Sequence, residues 1–415
     1  MTFSVTPDMI TNVKTEVVGL SSTDTPQDFG YSEFSFTIVT EAKSWDTSTR
    51  VDTDTGTVFA PKIAADNSGR SIVIWKETNG TIANLWGNRY TPQAGWNTPL
   101  LLDNINTADV LNYDLTMDDE GNAVIVWYQH DGSAYKLFSK RYIMGTGWQA
   151  IEEIANFSAS YLHYELATDG SGNTIVAWRI GSTIYVIRYL TTTGWETDPT
   201  LIYNGTSYSP VDISLSVTRS GKALVIWPNT NEYVYYSILD PDTGWSTATS
   251  MFSHTSYYSF YDLEAVMDDN SNITIIYNLR YSSSSSNTLY GRRYSASAGV
   301  SDEYNLGSVD TYARAKIGVD VWGNALAVWK PLSNTIRSVY YDIEFGWQSN
   351  VQLYTGSLFG IPNLAMDIYG NAALLWGGTL SATTQQGILY CNFKSADGWS
   401  SPALIAENLI SNPAI

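Results

Sequence analysis

Residues 118–127 read DDEGNAVIVW, and the phrase recurs along the 415-residue chain. Close copies are DNSGRSIVIW (66–75), DGSGNTIVAW (169–178), DVWGNALAVW (320–329) and DIYGNAALLW (367–376). With two more divergent copies, the phrase begins at Asp66, Asp118, Asp169, Thr218, Asp268, Asp320 and Asp367, at steps of 52, 51, 49, 50, 52 and 47 residues. Self-similarity at such a period indicates one repeat architecture rather than several unrelated domains.

Two further columns of the repeat have the same period. Three positions after the first residue stand Gly69, Gly121, Gly172, Gly221, Ser271, Gly323 and Gly370. Nine positions after it stand Trp75, Trp127, Trp178, Trp227, Tyr277, Trp329 and Trp376. A Gly-Trp pair then follows, with Trp96, Trp148, Trp195, Trp245, Trp347 and Trp399, and the fifth copy has Gly299-Val300 instead. The repeat therefore has coupled markers in every copy.

Each column predicts a piece of local structure. Asp at the first and Gly at the fourth place suit a type I turn, in which the carboxylate accepts backbone N–H groups and Gly supplies a positive φ. Apolar alternation before the turn and the β-branched run Val124–Val126 after it indicate two antiparallel strands. A third strand with alternating aromatics, such as STIYVIRYL (182–190), and a fourth opened by Gly-Trp complete the unit. Four short strands in about fifty residues are typical of a propeller blade, so we predict an all-β chain that forms a β-propeller of four-stranded antiparallel blades. The tryptophan after the second strand is interpreted as a wedge between neighbouring blades.

The number of blades depends on the termini. Strand-like segments in residues 1–57 and a candidate closing strand at 410–415 favour eight blades, one of them shared between the two ends, since pairing the termini removes free sheet edges. Seven blades with an N-terminal extension are the close alternative. The predicted organisation is a single propeller domain, 1–415, with a partial N-terminal repeat (1–57) and seven complete repeats (58–409).

The pattern D-x-x-G-N-x4-W resembles the repeats of bacterial secreted β-propellers and, more loosely, NHL-type and sialidase-like propellers. The resemblance covers nearly the whole chain and implies a fold rather than a function. The sialidase motif S-x-D-x-G-x-x-W places Asp and Gly two positions apart, whereas here they are three apart. The arginine triad of that family and the Gly-His and Trp-Asp pairs of WD repeats are not recognisable in this sequence, so no specific family follows.

Composition narrows the choice of partners. Lys and Arg number 22 against 41 Asp and Glu, giving a net charge of −19 that repels phosphate backbones and argues against nucleic acid. No apolar run of about eighteen residues predicts a membrane span. No signal peptide is visible in MTFSVTPDMITNVKTEVV (1–18), yet a charged fraction of 15% and an aromatic fraction of 13% favour an extracellular or cell-surface β-protein.

The sequence predicts no catalytic centre and no cofactor. Its three histidines, His130, His163 and His254, stand in unrelated contexts, and its single cysteine excludes a disulfide framework. Two D-x-D-x-G runs are similar to fragments of calcium loops but lack the later bidentate Glu and also suit ordinary turns. The weak calcium candidates in these runs are Asp52, Asp54, Asp240 and Asp242.

Two sets of residues are candidate binding positions. The resemblance implies that the loops from a fourth strand to the next first strand share a face with the loops between second and third strands. Aromatic residues in the former loops, suited to stacking on sugars or to anchoring a protein, are Tyr161, Tyr208, Tyr257, Tyr258, Tyr312 and Phe359. A polar column four positions before each turn residue, predicted to lie near the mouth of the central channel, comprises Lys62, Asp114, Glu165, Ser214, Glu264, Lys316 and Asn363. Packing of the loops and solvation of the channel are the plain alternatives for the two sets.

The function predicted from these features is a non-catalytic module that binds a glycan or a protein. One alternative is a self-associating structural subunit of an extracellular filament, sheath or virion-type assembly, since a partial blade could accept a neighbour's strand. The other is a glycosidase or polysaccharide lyase in which paired carboxylates such as Asp114 and Glu165 carry out acid–base chemistry.

Overall fold

The structure is a computed structural model that describes residues 13–15, 38–40, 51–52, 56–78, 81–105, 107–158, 162–205, 208–254, 258–281, 287–309, 314–331, 334–356, 358–381, 386–395 and 398–410. At some strand positions, among them Tyr258, Phe359 and Cys391, only the backbone is described. The chain divides into two compact units, Met1–Thr49 and Arg50–Ile415. In the first unit, β1 (Val13–Thr15) pairs antiparallel with β2 (Ile38–Thr40).

The second unit contains seven sheets, each formed by one copy of the repeat. Blade 1 has β3 (Thr57–Ala65), β4 (Ser71–Thr78), β5 (Ala83–Thr91), β6 (Gly95–Trp96) and β7 (Leu100–Leu101). Blade 2 has β8 (Val110–Met117), β9 (Ala123–His130), β10 (Tyr135–Ile143) and β11 (Gly147–Phe157). Blade 3 has β12 (His163–Thr168), β13 (Thr174–Ile180), β14 (Thr183–Leu190), β15 (Gly194–Trp195) and β16 (Thr200–Asn204). Blade 4 has β17 (Ser214–Val217), β18 (Ala223–Pro228), β19 (Tyr233–Asp240), β20 (Gly244–Trp245) and β21 (Thr249–Ser253). Blade 5 has β22 (Tyr258–Met267), β23 (Ile273–Tyr281), β24 (Asn287–Ser295), β25 (Gly299–Val300) and β26 (Tyr304–Val309). Blade 6 has β27 (Lys316–Val319), β28 (Ala325–Trp329), β29 (Thr335–Asp342), β30 (Gly346–Trp347) and β31 (Val351–Thr355). Blade 7 has β32 (Leu358–Met366), β33 (Ala372–Ser381), β34 (Gln386–Ser395), β35 (Gly398–Trp399) and β36 (Ala403–Ile410).

Each blade is a four-stranded antiparallel sheet whose strands pair in chain order. The fourth strand is continuous only in blade 2; in the other six blades two short pieces, the first beginning at the Gly-Trp or Gly-Val pair, both pair with the third strand. First strands of successive blades pack together in the order β3, β8, β12, β17, β22, β27 and β32. The described residues contain no helix, and therefore none that could cross a membrane. The all-β propeller prediction is confirmed.

The ring has seven blades, so the favoured prediction of eight is wrong and the seven-blade alternative is confirmed. Blade 1 has its own inner strand, β3, and blade 7 takes its outer strand β36 from the segment that follows its Gly-Trp pair. Every described blade is therefore built from one consecutive stretch of chain, which leaves no blade for the two termini to share. Residues 411–415, most of the predicted closing strand, lie outside the described residues.

The Asp of the repeat organises the turn between the first and second strands. In blade 2, Asp118 Oδ1 accepts the N–H groups of Glu120 (3.0 Å) and Asn122 (2.8 Å), and Oδ2 accepts the Asn122 side-chain amide (2.7 Å). Gly121 has φ +88°, a conformation that L side chains rarely adopt. The carboxylate is buried, and these N–H donors satisfy it. This arrangement is the predicted structural role of the motif.

The Asn of the repeat connects this turn to the turn between the third and fourth strands. Asn122 Oδ1 accepts the backbone N–H of Met144 at 2.8 Å, and Asn173 and Asn324 make the equivalent bonds to Thr191 and Ile343, both at 3.0 Å. Both turns therefore lie at one end of each blade, which we call the turn face. Loops at the opposite end are likewise bonded to one another, for example Gly205 N–H to Ser182 O at 2.9 Å, and we call that end the loop face.

The aromatic residue near the end of the second strand in blades 2 to 7 packs in a core cluster with residues of the preceding blade. Trp127 of blade 2 packs with Ile72 and Leu85 of blade 1, and Trp376 of blade 7 packs with Ile336 of blade 6. The fully buried members of this column are Trp75, Trp127, Trp178, Trp227, Tyr277, Trp329 and Trp376. The predicted wedge between blades is confirmed for blades 2 to 7.

Candidate functional site

The polar column of the repeat lies on the inner strands, and several of its members contact the next blade. Lys62 Nζ of blade 1 lies 3.2 Å from Asp114 Oδ1 of blade 2. Lys316 of blade 6 forms an ion pair with Glu264 of blade 5. The Ser214 hydroxyl of blade 4 accepts the backbone N–H of Ala265 in blade 5 at 3.1 Å.

The two remaining members of the column, Glu165 and Asn363, also lie on inner strands, but their described contacts are within their own blades. Glu165 lies on β12, where it forms an ion pair with His163 of the same strand. Asn363 lies on β32, opposite Leu375 of β33. The structure thus gathers the column around the inner strands, while its role in binding stays a prediction.

A second polar layer lies two residues before this column. Residues two apart on β12 and β22 point to the same side because side chains alternate along a strand, and the equivalent residues of blades 4 and 6 lie two positions before β17 and β27. In blades 3 to 6 the positions are His163, Asp212, Asp262 and Arg314, which we call the channel cluster. Arg314 Nη2 of blade 6 lies 3.9 Å from Asp212 Oδ1 of blade 4, and its Nε lies 3.7 Å from Asp262 Oδ1 of blade 5. A contact that skips a blade requires both side chains to face the common central channel.

His163 connects the cluster to the first polar column. Its Nδ1 lies 3.1 Å from Asp212 Oδ1 and its Nε2 lies 3.3 Å from Glu165 Oε1. Burial opposes protonation of the ring, but hydrogen bonds with the two carboxylates outweigh it and raise the pKa of His163 to about 9. The imidazole is therefore a cation at neutral pH and donates from both nitrogens.

The two aspartates of the cluster titrate in opposite directions. Burial, reinforced by the charges of Asp212 and Glu264, raises the pKa of Asp262 to about 7 against the lowering effect of Arg314. For Asp212, burial is outweighed by the hydrogen bond from His163 and by Arg314, and its pKa lies below the usual value. A hydrogen bond between the two carboxyl groups is part of this balance. The two carboxyl groups therefore release their protons in different pH ranges, Asp262 near neutral pH and Asp212 below the ordinary range of an aspartate.

The cluster offers both acceptors and donors to a ligand in the channel. Asp212 and Asp262 are only 4% and 6% exposed, and among the described residues no N–H or O–H group donates to Asp212 Oδ2 or Asp262 Oδ1. Arg314 is 44% exposed at its side chain and presents guanidinium donors beside them. Within the described part of the chain, no group of three or more His, Cys, Asp or Glu side chains is arranged to hold a metal ion. The chemistry available is hydrogen bonding to hydroxyl or carboxylate groups, together with proton exchange near neutral pH.

Of the four cluster residues, only His163 stood out in the sequence, as one of three histidines. A signal was present, because each of the four stands two residues before a member of the polar column. The period of a strand would have pointed to a second layer facing the same way. The meeting of these four side chains in one place, in contrast, depends on the arrangement of the blades in a ring.

The aromatic loop candidates are only partly described. Tyr208 is 50% exposed at the loop face, between blades 3 and 4. Tyr258 and Phe359 lie in β22 and β32, where only their backbone is described, and Tyr161, Tyr257 and Tyr312 lie outside the described residues. Their predicted role in ligand stacking stays a prediction.

The D-x-D-x-G run of blade 4 forms a turn. Asp240 Oδ1 accepts the backbone N–H groups of Asp242 (3.0 Å) and Thr243 (3.2 Å), so this carboxylate stabilises the connection between β19 and β20. Asp52 belongs to the second unit, and Asp54 lies outside the described residues.

No protein-family model and no curated protein matches the chain. Solved structures do resemble it. The BP39L lectin from Burkholderia pseudomallei aligns with a TM-score of 0.58 at 12% identity, over 84% of this chain and 100% of the lectin. A polysaccharide lyase of the PL25 ulvan lyase family, bound to -[GlcA(1-4)Rha3S]-, aligns with a TM-score of 0.51 at 12% identity, over 79% of this chain and 92% of the lyase. A prolyl endopeptidase aligns with a TM-score of 0.53 at 11% identity, over 86% of this chain but only 51% of that enzyme. At these identities the likeness shows the propeller fold and leaves the function open.

Proposed function

We propose that this protein is a carbohydrate-binding module whose ligand enters the channel from the loop face and binds the channel cluster without being transformed. The observation that carries the proposal is the convergence of His163, Asp212, Asp262 and Arg314 from four consecutive blades. Sugar hydroxyls donate to carboxylate oxygens and accept from guanidinium and imidazolium groups, so the cluster complements a polyhydroxylated ligand. An extracellular or cell-surface location is part of this proposal.

The solved structures agree with such a role without establishing it. The aligned lectin matches along its whole length, which suits a propeller that acts alone as a binding module. The lyase structure holds an oligosaccharide, so a propeller of this general form can accommodate a glycan chain.

A glycan array probed with the full chain tests the proposal. Three proteins are compared: wild type, Asp262→Asn, and Arg219→Gln as the control. Arg219 forms an exposed ion pair with Asp119 at the turn face, so its loss leaves the channel intact. We expect at least one glycan to bind wild type and the control equally and Asp262→Asn at least tenfold more weakly. Absence of glycan binding by wild type, or binding of every glycan by Asp262→Asn as strongly as by wild type, contradicts the proposal.

The Asp212–Asp262 pair also favours a second candidate, a carbohydrate-active enzyme. A carboxyl with a pKa of about 7 beside an ionised partner can donate or accept a proton at neutral pH. A turnover screen on polysaccharides separates the two functions, because an enzyme releases products or unsaturated ends and loses that activity in Asp262→Asn. Binding of a polysaccharide without turnover would support the carbohydrate-binding module and argue against the enzyme.

A further inference from the structure

Equivalent turn positions of the seven repeats can be compared directly at the turn face. Two positions of each turn, the first and second after the initial residue, differ from blade to blade; in blade 4 the second of them, Ser220, has its hydroxyl 2.9 Å from the Thr218 hydroxyl of the same turn. In blades 1 to 5 they are Asn67 and Ser68, Asp119 and Glu120, Gly170 and Ser171, Arg219 and Ser220, and Asp269 and Asn270. In blades 6 and 7 they are Val321 and Trp322, and Ile368 and Tyr369. The same scaffold position is thus polar or small five times and apolar or aromatic twice, on neighbouring blades.

The rings at these positions are exposed. Trp322 is 54% exposed and Tyr369 is 59% exposed, whereas the wedge tryptophans are almost completely buried. The turn between β29 and β30 adds Phe345, which is 78% exposed. A packing role explains none of these three side chains, because the equivalent turns of other blades fold without them.

The two turns that present the rings are held together. The backbone N–H of Val321 donates to Ile368 O at 3.0 Å, directly between blade 6 and blade 7. The ring centroids of Trp322 and Tyr369 lie 6.5 Å apart with 49° between the ring planes. The rings therefore form an angled platform, and the hydrogen bond between the turns fixes the backbone from which both side chains project.

A groove of about 460 Å³ lies beside the platform, between blades 6 and 7, and Trp322 and Tyr369 form part of its lining. Its charged groups are already engaged. Asp320 Oδ1 and Oδ2 accept the turn donors of Asn324, and Lys394 Nζ lies 4.9 Å above the Tyr340 ring and donates to Gly370 O at 3.3 Å. The lining also includes uncharged polar residues, among them Gln348 and Ser349.

We propose that this groove, which we call the turn-face groove, binds a neutral saccharide by stacking a C–H face of the sugar on Trp322 and Tyr369. Aromatic rings combined with a few uncharged polar groups in a concave site suit such a ligand. The engaged charges argue against an ionic ligand, and the concavity argues against a flat protein surface. The site is independent of the channel cluster and lies at the opposite end of the blades.

The equivalent groove between blades 2 and 3 supplies both the test variants and the control. It has a volume of about 670 Å³ and carries Glu120 and Ser171 where the turn-face groove carries Trp322 and Tyr369. Trp322→Glu and Tyr369→Ser therefore introduce residues that this scaffold already accepts at the same positions. Glu120→Ala is the matched control, and Asp262→Asn reports on the channel cluster.

The experiment measures binding of neutral hexose and N-acetylhexosamine oligosaccharides, first on an array and then by calorimetry with the strongest binder. We expect binding to weaken at least tenfold in Trp322→Glu and in Tyr369→Ser, and to stay within twofold of wild type in Glu120→Ala. Binding that survives both turn-face substitutions, or no binding of any neutral oligosaccharide by wild type, overturns the proposal. Loss in Asp262→Asn alone assigns the sugar to the channel, which overturns the turn-face site and leaves the proposed function standing. Capture of a protein that depends on Phe345 without any sugar binding also overturns it.

Discussion

A Cβ atom on Gly172 would lie 2.6 Å from Asp118 Oδ2, because the turn of blade 3 packs directly on the turn aspartate of blade 2. The same relationship joins Gly323 to Asp268, also at 2.6 Å. At Gly172 and Gly323 the glycine is thus required both for its positive φ and for this close approach, whereas blade 5 has Ser271 at the same position with φ +63°. The Asp both organises its own turn and supports the next blade, so the motif couples neighbouring blades as well as shaping one of them.

The first prediction separates these two requirements with a pair of glycines. Gly172 and Gly194 have φ of +82° and +86°, but a Cβ on Gly194 would meet nothing within 4 Å. Gly194→Ala should lower the free energy of unfolding by about 1–2 kcal/mol, the cost of a left-handed backbone for an L-residue. Gly172→Ala should cost at least about 1 kcal/mol more, since Asp118 must also shift away from its donors. Urea unfolding measures both, and equal losses would argue against the contact between blades.

The second prediction concerns the wedge. Trp127→Ala removes a fully buried ring that packs on Ile72 and Leu85 of blade 1, and should lower the free energy of unfolding by about 3–5 kcal/mol. Trp322→Ala, which removes an exposed ring, should change it by no more than about 0.5 kcal/mol. Chemical denaturation followed by circular dichroism provides the comparison, and similar effects of the two substitutions would contradict the interpretation.

The third prediction concerns the bridge between the two turns of a blade. Asn122→Ala removes the acceptor of the Met144 N–H and a donor to Asp118. The free energy of unfolding should therefore fall by about 1–3 kcal/mol. Asn97→Ala, at an exposed position after a Gly-Trp pair, should change stability by less than about 0.5 kcal/mol. Hydrogen exchange at the Met144 amide should accelerate only in the first variant; unchanged protection of that amide would be the contrary result.

The fourth prediction concerns pH. The folded-state pKa values of Asp262 (about 7) and His163 (about 9) both lie above their ordinary values of 3.8 and 6.5. Both groups bind protons more tightly in the folded state, so their contributions to stability are present at low pH and are lost as pH rises. Asp262 loses its contribution between about pH 4 and 7, and His163 between about pH 6.5 and 9.

Unfolding measured at several pH values tests this linkage. Asp262→Asn should flatten the fall in stability between pH 4 and 7, and His163→Gln should flatten the fall between pH 6.5 and 9. Arg219→Gln should keep the slope of wild type, since the Arg219 pair lies outside the channel. A variant at Asp262 with the same slope as wild type would show that folding does not raise the pKa of this carboxyl.

The predictable parts of the fold are those that depend on residues close together within one repeat. Asp118 and Gly121 shape a turn within five residues, and Trp127 is buried at the end of the strand that follows. The recurrence of these residue types along the chain was therefore sufficient to predict the blade. Blade number was not predictable in this way. Strand-like segments near both ends satisfied the same local rules, and only the pairing of β3 and β36 within their own sheets distinguished seven blades from eight.

The amino-acid sequence by itself determined that a unit of about fifty residues, marked by Asp, Gly and Trp, folds as a four-stranded blade and repeats seven times. Only the tertiary structure decided which distant residues meet. His163, Asp212, Asp262 and Arg314 are separated by about fifty residues each and come together because a ring directs the same strand position of every blade into one channel. Trp322 and Tyr369 likewise become one platform because the turns of adjacent blades are hydrogen-bonded side by side. Local chemistry specifies the unit, whereas the geometry of ring assembly creates the sites.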